Sequence, residues 1–341
     1  MKIAIIHAKY VRPEGLHGAA RENALAQIRA NLDLNYGMVE QAGAAGADLL
    51  ITNECFAYVG QGLGVDDQAL FAELVAETEA VIDRDMRAYA ARYGMMIAAN
   101  ECATHEGKIY NTTTLYDRDG GVIGRFRKVH LPIGERFKVS AGTEFPVFET
   151  DLGRIGFAIC YDIVFPEHCR ILGLNGADII VHQTQGWGGG GSGGSRDTGE
   201  AVLRTRAAEN SVYLFVAKNI QGEGGMSCVI DNCGSVIASQ PGTDDALLLA
   251  EFEPDYERKD LYYHNNYFSG VGNDRTRLLL EREPALYGRL TEDVQLSYNP
   301  RGERLCTREE FAERVRAIGR MAPEERKKLH WGGYWRDKQG T

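Results

Sequence analysis

Gly156-Phe157-Ala158-Ile159-Cys160-Tyr161-Asp162-Ile163-Val164-Phe165-Pro166-Glu167 is an apolar run that stops at a thiol and restarts as a helix. Residues 155–159 have the β-branched and aromatic content of a buried strand, Pro166 suits the first position of a helix, and Glu167 favours that helix's positive end. Such a strand, turn and helix expose one side chain, Cys160, at the carboxyl edge of a sheet, where open α/β sheets bind ligands.

Outward from this stretch, strands and helices alternate. Residues 3–7 read as a strand, 21–42 as an amphipathic helix, 49–52 as a strand, 67–93 as a helix opened by Asp67, and 95–99 as a strand. Residues 109–116 and 122–127 form a hairpin across Asp117-Arg118-Asp119-Gly120-Gly121, and 147–149 joins 155–159 around Asp151 to Gly153. Helix 166–175, strand 179–182, helix 198–210 and strand 213–217 follow, then closing strands at 229–230, 236–238 and 247–252. Hairpins mixed with crossovers imply mixed sheets, and the pattern fits an α/β fold of two sheets stacked between helices.

Two other apolar runs end in charge. Leu49-Leu50-Ile51-Thr52-Asn53-Glu54 delivers a carboxylate, and Arg127-Lys128-Val129-His130-Leu131-Pro132-Ile133-Gly134-Glu135 delivers a cation and a second carboxylate. Hydrolysis of an unactivated amide needs a strong nucleophile, a base that takes its proton and returns it to the departing nitrogen, and a charge opposite the developing oxyanion. Cys160, Glu54 and Lys128 supply one each. An ordinary cysteine is only a few per cent thiolate at neutral pH, so Glu54 must act as base or Lys128 must stabilise the thiolate. The Tyr161 backbone N–H is a second oxyanion donor. A single buried cysteine is more often an inert small hydrophobe, which is the reading for Cys55, Cys102, Cys169, Cys228, Cys233 and Cys306.

In the order and spacing of these segments the chain resembles the nitrilase superfamily of carbon–nitrogen hydrolases, from about Met1 to Phe252. One position departs, since Asn53 stands where relatives usually carry proline. The resemblance implies a four-layer α-β-β-α sandwich of the nitrilase-like type, with Glu54, Lys128 and Cys160 as catalytic residues. It also implies that Glu135 positions the lysine and the substrate nitrogen. Tyr161-Asp162 after the nucleophile resembles the amidase-type branches, whereas true nitrilases usually show tryptophan and glutamate there. The expected substrate is therefore a small amide, cleaved through a thioester. An N-carbamoyl amine or amino acid is the runner-up, with Arg196, Arg204 or Arg206 gripping a carboxylate, although at least two of these read as a solvated helix face. A nitrile is less favoured, and a catalytically silent ligand-binding or assembly protein is the alternative from another class.

The chain has 341 residues, 44% hydrophobic and 25% charged, which suits one large core. A net charge of −10 argues against a nucleic-acid surface and against anionic membranes. The first residues move straight into a strand without a signal-peptide pattern, and no run approaches a membrane span. Seven cysteines without regular spacing argue against a disulfide framework, so the cytoplasm is expected. No cofactor is expected: Cys228 and Cys233 lack a second ligand pair, and His168 and Cys169 read as packing residues.

Two loops carry substrate contacts in this reading. Gln183-Thr184-Gln185-Gly186-Trp187 runs into the glycines of residues 188–194, a lid or a plain connector, with Gln185 and Trp187 as candidate contacts beside Tyr161. Ser192 matches G-x-S-x-G by composition only, and the stretch is not a P-loop. The second loop, Phe56 to Gly64, follows Glu54 and offers Tyr58 and Phe56. Residues 1–255 are expected to be the catalytic domain. Residues 256–341, a tyrosine-rich segment with a capping box at Thr307-Arg308-Glu309-Glu310 and an apolar stripe, are expected to be an arm. Such extensions commonly make relatives homodimers or higher homo-oligomers.

Overall fold

The computed structural model describes residues 1–11, 20–59, 63, 67–185, 196–220, 225–256, 281–292, 308–321 and 325. Two units divide the chain. The larger comprises Met1–Gly62 and Ala69–Leu279, the smaller Leu63–Gln68 and Leu280–Thr341.

The larger unit is built on two six-stranded mixed sheets. Its strands are β1 (Lys2–His7), β2 (Leu49–Ile51), β3 (Met96–His105), β4 (Lys108–Tyr116), β5 (Val122–Arg127), β6 (Val147–Thr150), β7 (Gly153–Ile159), β8 (Ile179–Thr184), β9 (Tyr213–Lys218), β10 (Gly225–Ile230), β11 (Val236–Gly242) and β12 (Ala246–Glu251). The first sheet runs β12-β1-β2-β3-β4-β5 and the second β11-β10-β9-β8-β7-β6. In each, the central strands β1-β2-β3 or β7-β8-β9 are parallel and the flanks antiparallel.

Side-chain alternation explains why the sheets face each other. Ile3, Ile5, Leu49, Ile51, Met96 and Phe126 of the first sheet meet Ile155, Phe157, Ile159, Val181 and Phe215 of the second in one buried core. Phe126 and Phe157 stack across it with centroids 6.4 Å apart. Ala158, Ile180, Leu214 and Val216, one residue out of phase, pack outward with Ile163, Cys169, Leu172, Leu203 and Ala207. These last residues belong to or adjoin helices α3 (Pro166–Leu174) and α4 (Arg196–Asn210). Helices α1 (Ala20–Ala44) and α2 (Gln68–Tyr93) cover the first sheet. With both faces covered, the central strands read as continuous apolar runs. The result is the four-layer α-β-β-α sandwich.

Two strands are longer than their apolar content suggests. β3 continues from Ala99 through Asn100, Glu101 and Cys102 to His105, and turns into β4 at Glu106 and Gly107, both with positive φ (48° and 74°). β8 continues through His182, Gln183 and Thr184. Buried polar residues do not look like strand, yet these are buried because they bond to one another at the sheet ends. Between β7 and α3 the chain makes a 3-10 turn, Cys160–Val164, before Pro166 starts the helix. In the smaller unit the described residues hold 3-10 turns at Pro284–Leu286 and Gly288–Thr291 and helix α5 (Arg308–Gly319). Thr307 of the expected capping box, and Trp331 and Trp335, lie outside the described residues.

Candidate active site

Cys160 begins the 3-10 turn at φ +45°, a left-handed conformation that a side chain bearing a Cβ rarely adopts. Something must hold it there, and Asp162 does so. Its Oδ2 accepts the Ile159 N–H at 3.0 Å, and its Oδ1 accepts both the backbone N–H and Nδ1–H of His130 at 2.8 Å each. Burial alone would raise the Asp162 carboxyl, but His130, His168 and the Ile159 N–H bring it below the usual carboxylate range. The His130 ring lies flat on Phe165, centroids 4.0 Å apart. At the far end of the turn, Arg206 donates to the carbonyls of Ile163 (3.2 Å) and Val164 (3.3 Å).

Glu54 follows β2 in a comparable setting. Cys55 and Tyr58 have φ of 47° and 67°, and the segment is pinned by β3: Asn100 Oδ1 accepts the Cys55 N–H at 2.7 Å, and Glu101 Oε2 accepts the Ala57 N–H at 2.9 Å. Tyr10 donates its hydroxyl to the Glu54 carbonyl at 2.6 Å.

Lys128 joins the carboxylates. Its ammonium, 1% exposed, donates to Glu54 Oε1 at 2.9 Å and to Glu135 Oε2 at 2.6 Å. Asn111 closes the group by donating Nδ2–H to Glu54 Oε1 (2.9 Å) and Glu135 Oε1 (3.0 Å), while its own oxygen accepts from Asn100 at 3.0 Å. Glu54 Oε2 accepts the backbone N–H of Gln185 at 2.9 Å. Burial works against the Lys128 charge, but Glu54, Cys160 and Glu135 more than offset it and hold the ammonium well above its ordinary range. Burial raises Glu135, Lys128 pulls it down and Glu54 pushes it up, with the balance upward. Burial, then the Glu54 charge, push the Cys160 thiol up to about 12 against the pull of Lys128 and a bond to Thr184. The resting group is thus a neutral thiol beside a lysine held between two carboxylates.

The sequence-derived residues Glu54, Lys128 and Glu135 therefore meet, with Cys160 close enough to feel all three charges. Tyr161 is 38% exposed beside the thiol, with its ring edge-on to Phe165. Tyr58 is buried, its ring 4.4 Å from that of Tyr10, and Phe56 is buried in the core. Trp187, Ser192 and the glycine stretch lie outside the described residues. Arg206 is not on a solvated face: it is 9% exposed and holds the Cys160 turn and Glu209. Arg204 is exposed and donates to the Gly234 carbonyl at 2.8 Å. Sequence reasoning missed Asn100, Asn111, Asp162 and Gln183. The last donates to the Thr52 carbonyl at 2.9 Å and accepts from Thr113 at 2.6 Å, tying the sheets together beneath the site. Their one signal was a polar residue inside a strand or beside the thiol. Among the described residues two groups carry metal-ligand side chains, His130-Asp162-His168 and Cys55-Glu101-Cys102, neither of which includes Cys228 or Cys233.

The comparisons agree with this fold. Residues 18–260 match the family described as Carbon-nitrogen hydrolase. A deaminated glutathione amidase of Synechocystis sp. is 29% identical over 261 residues, 70% of this chain and 92% of that protein. An N-carbamoylputrescine amidase of Arabidopsis thaliana is 28% identical, over 67% of this chain and 83% of that one. A probable nitrilase of Schizosaccharomyces pombe is 33% identical, over 53% of this chain and 63% of its own length. Among solved structures, an amidase from Nesterenkonia sp. AN1 in complex with acrylamide shares the fold, with a TM-score of 0.64 at 21% identity, over 85% of this chain and 97% of that one. Fold and sequence together define a hydrolase of non-peptide C–N bonds. The chain belongs to the carbon–nitrogen hydrolase family, and its named relatives are mostly amidases.

No helix among the described residues is long and apolar enough to cross a membrane.

Proposed function

We propose that this protein hydrolyses a small amide, with Cys160 as nucleophile, Glu54 as general base and acid, Lys128 as oxyanion donor and Glu135 as the group that positions Lys128 and the substrate nitrogen. The observation that carries this reading is the buried Lys128 between two carboxylates at 2.9 and 2.6 Å, beside a thiol held at φ +45°. Because the thiol is raised to about 12, attack has to be coupled to proton removal, and Glu54 is the acceptor. Sulfur bonds to the amide carbon as Glu54 takes the thiol proton, and the carbonyl oxygen becomes an oxyanion facing Lys128 and the Tyr161 N–H. Collapse breaks the C–N bond, and Glu54 returns the proton to the departing nitrogen. Water, deprotonated by Glu54, then attacks the thioester and releases the acid and the thiol. Tyr161, Gln185, Tyr58 and Trp187 are the proposed substrate contacts.

Amides are favoured over carbamoyl compounds and nitriles by Tyr161-Asp162 after the nucleophile and by the amidases among the relatives. The carbamoyl reading keeps support from the N-carbamoylputrescine amidase. It gains none from Arg204 and Arg206, whose donors serve this chain's own groups. In the same proposal the protein acts in the cytoplasm, and residues 256–341 form an arm that contacts a second copy.

Ammonia or amine release from purified protein, offered a panel of short amides, N-carbamoyl compounds and nitriles, tests the assignment. Turnover should be highest on an amide, by at least about tenfold in kcat/KM. Turnover of carbamoyl compounds alone would move the protein to that branch, and no turnover at all would favour a silent binding protein.

A further inference from the structure

Beside the proposed base, where Glu101 and the Cys55 backbone help to pin its segment, the Sγ atoms of Cys55 and Cys102 and a carboxylate oxygen of Glu101 lie within 4.8 Å of one another. All three residues are buried, and the Cys55 thiol bonds to Cys102 and to Glu101. Cys55 immediately follows Glu54 and is held at φ +47°, whereas Cys102 lies on the regular strand β3. A cavity of about 30 Å³, enough for one water-sized molecule, is lined by Glu101, Cys102, Ala103, Thr112 and Thr114 and rimmed by the exposed Arg125. Two adjacent thiols, a carboxylate and a small cavity against Cys102 and Glu101 make up the parts of a redox pair.

We propose that Cys55 and Cys102 are oxidised by hydrogen peroxide to a disulfide that displaces the segment carrying Glu54 and switches the hydrolase off. Cys102, on the cavity wall, reacts first: Glu101 takes its proton, its sulfur bonds to one peroxide oxygen and the O–O bond breaks. The leaving hydroxide takes the proton from Glu101 and departs as water. Cys55 sulfur then bonds to Cys102 sulfur, the S–O bond breaks, and hydroxide leaves as a second water with the Cys55 proton. Two thiols and one peroxide become one disulfide and two waters.

The local electrostatics suit these roles. The bond from Cys55 pulls Cys102 down, although burial and the Glu101 charge raise it on balance, while the same bond and then burial hold Cys55 well above its ordinary value. Both thiols are therefore raised above their ordinary value, and it is the place of Cys102 on the cavity wall that makes it the first to react. Burial pushes Glu101 up to about 7, even against the backbone N–H groups of Cys102, Val59 and Ala57, so it can take and return a proton near neutral pH. Joining the sulfurs at about 2.05 Å draws Cys55 toward β3, and a displacement of about 1 Å next to Glu54 is enough to cost on the order of a hundredfold in rate.

The test uses the full chain, reduced, exposed to hydrogen peroxide, alkylated with iodoacetamide in denaturant and mapped by mass spectrometry without reduction. A peptide linked through Cys55 and Cys102 is expected, in the intact chain and equally in Cys160→Ala. Turnover of the intact chain should fall at least tenfold and return with dithiothreitol. Cys102→Ser and Cys102→Ala, which leave Glu54 and its bonds untouched, should keep their activity through the same exposure. Alkylation of both Cys55 and Cys102 after peroxide, with Cys160 oxidised instead, would overturn the pair. Equal inactivation of the Cys102 variants, or a linked peptide with unchanged turnover, would overturn its coupling to the site. The switching arm rests on Glu54 as base. The linked peptide does not, so the two failures are distinguishable.

Discussion

The segments after β2 and after β7 solve one problem in two ways. Each puts a reactive side chain beside a left-handed, non-glycine residue: Glu54 next to Cys55 at φ 47°, and Cys160 itself at φ 45°. The Glu54 segment is pinned from outside, by Asn100 and Glu101 of the neighbouring strand and by Tyr10. The Cys160 turn is pinned mostly from within, by Asp162 two residues on, which reaches back to Ile159 and across to His130. The inside pin lies two residues from the thiol, whereas Asn100, an outside pin, lies 45 residues from the backbone it holds, on another strand.

The largest effect should come from breaking the chemistry on either side. Cys160→Ala is expected to abolish turnover with the fold intact, and activity above about one per cent would refute the nucleophile assignment. Glu54→Gln and Lys128→Met should each lower kcat by at least about a hundredfold. Near-normal kinetics in either variant would mean that the residue is misassigned and that the two segments do not converge on one reaction.

Apolar runs ending in Glu54, Lys128 and Cys160 were legible in the sequence because a strand that terminates in a charge or thiol breaks the pattern of a buried sheet. The alternation of strands and helices was legible for the same reason, down to the hairpin at Asp117 to Gly121. Asn100, Asn111 and Gln183 were not, since a polar residue in a strand normally marks its exposed face or its end. Here each is buried at 0–1% exposure because its partners are other buried polar groups, a fact of tertiary structure alone. Nor was Arg206 singled out from Arg196 and Arg204: an arginine on an amphipathic helix normally faces water, and the carbonyls of the Cys160 turn together with Glu209 account for the burial of this one.

Acid should sharpen the comparison, because two buried histidines, His168 and His182, lie on the Cys160 side against one, His7, on the strand beside β2. His182, on β8, donates Nδ1–H to the Ala158 carbonyl at 3.0 Å, and burial lowers it from 6.5 to about 4. Its native pKa is depressed, so between these values the unfolded chain binds a proton that the folded chain refuses. Stability is then full above about pH 6.5 and falls by about 3 kcal/mol as the pH drops toward 4. His168, also lowered by burial, acts in the same direction. The Asp162 contribution is lost only further down, below the ordinary carboxylate range, because that carboxyl is depressed. Urea unfolding across this window should show the loss, and His182→Gln should make it shallower, with His168 and His7 accounting for the rest. An equally steep curve in that variant would place the acid sensitivity elsewhere.

The smallest expected effect tests the outside pins singly. Tyr10→Phe removes one hydroxyl, and with it the 2.6 Å bond to the Glu54 carbonyl, while leaving the ring on Tyr58. The carbonyl is left buried and short of a donor, which should cost about 1 kcal/mol of stability. Because the bond is made to the backbone of the base and not to its carboxylate, the proton-transfer group keeps its partners Lys128, Asn111 and Gln185. The expected kinetic signature is therefore a fall of about two- to fivefold in kcat from slight misplacement, with no change in the rate at which iodoacetamide labels Cys160. A changed labelling rate would show that Tyr10 acts across the sheets on the thiol, so that the two segments are held as one unit and not pinned separately.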